Sequence, residues 1–184
     1  MAARRHEPAT GTARVREIQG RRIAVLDSAL SAALPSRGQV AVHVEVAGCD
    51  DPASAQTVIV VEPDGRKGHW LRLEDLPIPA TTSEGTELEL TLTPAASWPE
   101  PQVPADLAAA LEQAPDAADP WADITPMARW EWVRWVGATR SASTRARRVD
   151  VSIDKLRTGS RRPCCFDLSS CTDPELARSG RLPD

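Results

Sequence analysis

The sequence predicts an α+β fold: a small barrel-like β domain over residues 14–94, then a helical module over residues 103–162. Two observations carry this. Short strand-like stretches recur through the first half, five or six of them in about 80 residues, the count and spacing of a small barrel or closed sheet. After the cluster Pro94, Pro99 and Pro101 the apolar period changes to that of helices. The chain has 184 residues and is 41% hydrophobic, enough for one domain with a real core or two small ones packed together.

Residues 1–13 are polar, with Pro8 and Gly11, and are expected to form a disordered tail. Arg14–Ile18 and Ile23–Leu26 read as strands around Gly20. Asp27-Ser28 caps a short apolar turn, Ala29–Leu34, ended by Pro35 and Gly38. Val40, Val42, Val44 and Val46 alternate with Ala41, His43 and Glu45, which places the valines inward and His43 on the outer side. Thr57–Val61 is continuously apolar, as in a strand buried on both faces. The turn Pro63-Asp64-Gly65 joins Thr57–Glu62 to His69–Leu73 as a hairpin. Trp70 is expected to pack in the barrel. In Thr86–Thr93, Leu88, Leu90 and Leu92 alternate with glutamates.

Residues 95–102 are a proline-rich linker. Pro104 suits a first helical turn, and Ala105–Gln113 is an alanine-rich helix. Thr125 is an N-cap with Pro126 at the first helical position. The helix to Val136 carries Met127, Trp130, Trp132, Val133, Trp135 and Val136 almost all round its axis, the pattern of a helix buried on several sides. The three tryptophans are read as packing anchors at the junction of the two halves. Ser141 opens a last helix to about Thr158, with Gly159 past its end. Its apolar stripe is Ala142, Ala146, Val149, Ile153 and Leu156; Arg140, Arg147, Arg148 and Lys155 fall roughly opposite. Residues 163–184 form an irregular, cysteine-containing tail.

The net charge of -4 argues against binding nucleic acid over the whole surface. Only Lys67 and Lys155 are lysines among the 22 basic residues, a bias that weakens arginine count as a functional signal. No stretch approaches the 18 apolar residues of a spanning helix, and no apolar segment follows Arg4 and Arg5 to make a signal peptide. The four cysteines are then most simply reduced thiols, and the expected compartment is a bacterial cytoplasm.

Val103-Pro-Ala-Asp-Leu-Ala-Ala-Ala-Leu111, followed by Val133-Arg134-Trp135 and Thr144-Arg145-Ala146-Arg147-Arg148, resembles the YdeI/OmpD-associated, or bacteriocin-protection, family. The resemblance covers roughly residues 103–162. The stretch Gly85–Leu92 and the strands before it look like the small β-barrel domain that often precedes this module. Thr139-Arg140 stands where the family usually has Ala-Lys, and Ser143 where a glutamate is common. The resemblance implies a role linked to antimicrobial-peptide or bacteriocin tolerance. It implies no catalytic residue and no cofactor.

Between Arg140 and Arg162 eight basic residues face only Asp150 and Asp154. Arg134, Trp135, Arg140, Thr144, Arg145, Arg147 and Arg148 are therefore the candidate binding residues, for an anionic ligand or an acidic protein surface. The competing reading is a solvated face with ion pairs to the acidic β domain and to Asp116, Asp119 and Asp123. Cys164, Cys165 and Cys171 could hold a metal or a redox site, with His69 or Cys49 completing it. Their spacing is not that of paired zinc knuckles, so buried thiols are the expectation. G-x-S-x-G, Walker A and H-E-x-x-H are absent, His6, His43 and His69 share no ligand spacing, and Asp50-Asp51 reads as a loop. Three functions stay open: an accessory binding protein of the resembled family, a nucleic-acid-binding module using the arginine face, and a small-ligand-binding protein or enzyme with a site where barrel and helices meet.

Overall fold

A computed structural model describes residues 7–49, 57–79, 81–163 and 167–184. Cys164, Cys165, His6 and the Asp50-Asp51 pair lie outside them. The chain divides into two compact units.

The first unit is a closed barrel of six antiparallel strands: β1 (Ala9–Ile18), β2 (Arg21–Leu26), β3 (Val40–Val46), β4 (Val58–Pro63), β5 (His69–Arg72) and β6 (Glu87–Pro94). Their order around the barrel is β1-β2-β5-β4-β3-β6. Closure comes from β1, which pairs with β2 through Ala13–Ile18 and with β6 through Ala9–Arg14. A closed sheet leaves no unpaired strand edge. The β1–β2 hairpin turns on Gln19 and Gly20, at φ 52° and 79°, the two-residue geometry that matches strand twist.

The interior is filled by alternate residues: Ala13 and Val15, Ala24 and Leu26, all four β3 valines, Ile59 and Val61, Leu71, Leu90 and Leu92. β4 is buried on both faces, as its unbroken apolar run implied. Trp70 lies on the other face of β5 from Leu71. It is 1% exposed and outside the barrel's core cluster, with its indole N–H on the Pro63 carbonyl at 3.2 Å. It packs on the barrel's outer face, not inside it.

β1 begins at Ala9, within the segment that the sequence assigned to the tail. The signal was hidden because Thr10 and Thr12 are exposed and Gly11 interrupts the pattern. Gly11 is needed there: a Cβ would lie 2.7 Å from Asp27 Oδ2 and 2.8 Å from Leu30 Cβ. Asp27 is the N-cap of helix α1 (Ser28–Ala33) and accepts from the amides of Leu30 and Thr12. Those amides hold its carboxyl below the usual carboxylate range.

The barrel unit also includes residues 168–171 and 178–184. A two-residue turn, Ser179-Gly180, closes a bridge between Arg178 and Arg181. Leu182 is 2% exposed; its amide donates to the Asp64 carbonyl, and its own carbonyl accepts from Arg66 Nε at 2.8 Å. Arg16 donates to the Pro183 carbonyl.

The second unit, residues 99–167 and 172–177, holds helices α2 (Ala105–Glu112), α3 (Pro115–Asp123), α4 (Pro126–Gly137) and α5 (Ala142–Arg157). Its core is Leu107 and Leu111, Ala117, Ile124, Ala128, Trp132 and Val136, with Val149, Ile153 and Leu156 from α5. Thr125 and Ser141 cap α4 and α5 by accepting from the amides of Ala128 and Thr144. At the end of α5, Gly159 at φ 79° lets the Ser160 amide reach the Lys155 carbonyl. Helix α3 was not foreseen, because Pro120 interrupts a nine-residue acidic segment. Its carbonyl end is held by arginine: Arg129 donates to the carbonyls of Trp121, Ala122 and Ile124, and Arg161 to that of Asp123.

Candidate functional site

The apolar stripe of α5 is buried only over its second half. Val149, Ile153 and Leu156 are in the core, whereas Ala142 and Ala146 are exposed. This face of the helix is therefore uncovered at its N-terminal end, where most of the candidate binding residues sit.

Those residues separate into three environments. Arg134, on α4, is 7% exposed and lies within electrostatic reach of Glu131, itself 5% exposed. Burial raises the Glu131 carboxyl, an effect opposed by Arg162, 3.5 Å away, and by Arg134. Arg145 makes two bonds to Asp106, at 2.6 and 2.9 Å. The hydrogen bond from Arg145 holds Asp106 below its ordinary value, and the same bond raises Arg145. Arg140 donates to the Pro174 carbonyl at 2.7 Å and lies 3.5 Å from Glu175.

The third environment is half-buried. Arg148 stacks over the Trp135 ring, 5.5 Å from its centroid, and donates to the Trp135 carbonyl at 2.7 Å. Partial burial lowers its pKa. Trp135 meets Trp132 edge-on, with centroids 6.1 Å apart, so the stack is anchored in the helical core. Trp130 is held separately, by its indole N–H on the Pro99 carbonyl. Arg147 and Thr144 are exposed one turn before and beside this stack. No ion pair involves Arg147 among the described residues.

The remaining cations are bonded within the unit. Arg157 reaches Asp116 at 2.8 Å and Arg161 reaches Asp123 at 2.8 Å. The ion pairs to α3 foreseen in the sequence thus form at two of the three acids named. Asp106 was missed as a partner. It lies 39 residues from Arg145, and nothing local marks that pairing.

Cys171 is 3% exposed in the barrel unit, with its amide on the Gly180 carbonyl. The Cys49 thiol donates to the Pro77 carbonyl at 2.8 Å. His69 is wholly buried, with Nε2 on the Gly38 carbonyl at 3.1 Å. No cluster of three metal-ligating side chains occurs among the described residues.

Residues 100–159 match the family model described as "Bacteriocin-protection, YdeI or OmpD-Associated". The match takes in α2 to α5 whole, and so the Arg145–Asp106 pair and the Arg148–Trp135 stack. No curated protein and no solved structure matches the chain. Among the described residues no helix is long and apolar enough to cross a membrane.

Proposed function

We propose that the protein is a bacterial cytoplasmic accessory protein in tolerance to antimicrobial peptides or bacteriocins, working by binding an anionic partner through the outward face of α5. The family match over residues 100–159 carries this reading. The side chains that serve it are Arg147 and Thr144, exposed, and the Arg148–Trp135 stack. A stacked guanidinium keeps its remaining N–H groups in fixed directions, which suits carboxylate or phosphate better than a freely moving chain does. Arg145, Arg157 and Arg161 are scaffolding in this reading, since each already holds a carboxylate.

The same commitment of cations to internal acids weighs against the nucleic-acid reading, which needs a continuous free cationic stripe. Gene deletion followed by growth inhibition with a panel of cationic peptides and bacteriocins tests the proposal. The deletion strain is expected to be more sensitive to at least one of them, with sensitivity reversed by the intact gene. Unchanged sensitivity across the panel would overturn it.

A further inference from the structure

One end of the barrel unit gathers cations that the family match does not cover. Two turns meet there. The β4–β5 turn carries Arg66 and Lys67, and the C-terminal hairpin carries Arg178 and Arg181. They meet backbone to backbone: a Cβ on Gly65 would lie 1.9 Å from the Gly180 carbonyl oxygen and 3.0 Å from the Arg181 Cα. Arg37 joins them by donating to the Lys67 carbonyl at 2.7 Å. All five side chains are exposed.

Carboxylates offset only part of this charge. Asp64 is 9% exposed and turned inward, accepting from the amides of Arg66 and Gly68. Asp184 pairs with Arg66 at 2.7 Å. No ion pair involves Lys67, Arg178 or Arg181 among the described residues. Arg178 and Arg181 even stand opposite each other in a β-bridge, where like charges repel. In a chain of net charge -4 this is a local reversal of sign.

A third feature decides the partner. Leu168 is the exposed large hydrophobic among the described residues, at 37%. It lies beside the same cluster, for a Cβ on Gly38, next to Arg37, would meet the Leu168 carbonyl at 3.1 Å and its Cβ at 3.3 Å. Exposed cations on two tight turns, with an apolar side chain among them, suit an anionic surface that also accepts a hydrocarbon group.

We infer that this end of the barrel, through Arg37, Lys67, Arg178, Arg181 and Leu168, docks reversibly on a membrane surface rich in anionic phospholipid. The inference does not rest on the function proposed for α5, because none of these residues lies in the matched segment.

Flotation of the full-length protein with vesicles tests it, using phosphatidylcholine alone and phosphatidylcholine with about a third phosphatidylglycerol. The protein is expected to float with anionic vesicles at low ionic strength, not with neutral ones, and to be released as salt rises. Replacing Arg178 and Arg181 by Ala is expected to weaken partitioning about fivefold for each residue. Leu168→Ser weakens it without changing the salt dependence. Arg157→Ala, on α5 and bonded to Asp116, leaves it unchanged. Near-ultraviolet circular dichroism shows that each variant is folded, and Lys67→Ala replaces the double variant if that one is not. Failure to float with anionic vesicles at low salt overturns the inference. So does flotation indifferent to these substitutions, and so does a shift with DNA or RNA in place of vesicles.

Discussion

Replacing Gly65 by alanine separates two costs that usually come together. Gly65 and Gly85 both hold left-handed backbone, at φ 74° and 85°. Alanine there costs about 1–2 kcal/mol at either position. Around Gly85 nothing lies within 4 Å of a new Cβ, whereas at Gly65 it would sit 1.9 Å from the Gly180 carbonyl oxygen. That neighbour is backbone of a two-residue turn and cannot swing aside as a side chain does. The hairpin must lift, and with it go the Leu182 amide bond to Asp64 and the Arg66 bond to the Leu182 carbonyl. Each such bond contributes about 0.5–1.5 kcal/mol net, and burial of the Leu182 side chain about 1.5–3 kcal/mol. Gly65→Ala should therefore cost at least about 2 kcal/mol more than Gly85→Ala. Denaturant melts of the two variants give the difference, and hydrogen exchange shows whether amides 171 and 182 lose protection in Gly65→Ala alone. Equal destabilisation, with those amides still protected, would refute the packing of this segment on the barrel.

Three further expectations follow from the cores and ion pairs. His69 is held neutral by burial, which lowers its pKa below 6.5. The unfolded chain then takes up a proton that the folded chain refuses. The stability due to His69 is full above about pH 6.5 and falls by up to about 1.4 kcal/mol per pH unit below it, until the lowered folded-state pKa is reached. Melts from pH 7.5 to 5 should show that slope flattened in His69→Gln; parallel slopes would contradict it. Leu156→Ala should destabilise the helical unit by about 2–5 kcal/mol, because the side chain is wholly buried. Ala146→Ser, on the exposed part of the same stripe, should change stability by no more than about 0.5 kcal/mol. Arg145 and Asp106 are 32% and 41% exposed. A double-mutant cycle should give a coupling below about 1 kcal/mol that shrinks with added salt; a larger, salt-independent value would mean the pair is effectively buried.

Much of the fold could be read from local pattern. The β3 valines, the alternating leucines of β6 and the caps Asp27, Thr125 and Ser141 all specify their elements within a few residues. Closure of the barrel was legible only as an expectation of class, since the pairings β1–β6 and β2–β5 join distant segments. Helix α3 stayed hidden because Pro120 and its acids argue against a helix, and what stabilises it, Arg129 and Arg161 at its carbonyl end, comes from elsewhere in the chain. The packing of the last residues was hidden for a related reason. Ser179-Gly180 is a local turn signal, but its contact with Gly65 is not local.

The candidate site was legible as a charge run and not as an arrangement. Arginines at 145, 147 and 148 look alike in sequence. In the structure one is clamped by a carboxylate, one is exposed and one is stacked on tryptophan. Which arginine does which depends on acids and rings placed by α2 and α4, beyond the reach of helical spacing alone.

The division of labour along α5 can be measured directly by complementing a deletion strain with Arg147→Ala or Arg157→Ala and scoring peptide tolerance beside the melting temperature of each purified variant. Arg147 is exposed and Arg157 is bonded to Asp116 at 2.8 Å. Arg147→Ala is expected to melt like the parent and to lose tolerance. Arg157→Ala is expected to melt slightly lower and to keep it. Full tolerance in Arg147→Ala, with tolerance lost only in step with stability, would contradict a binding role for this helix.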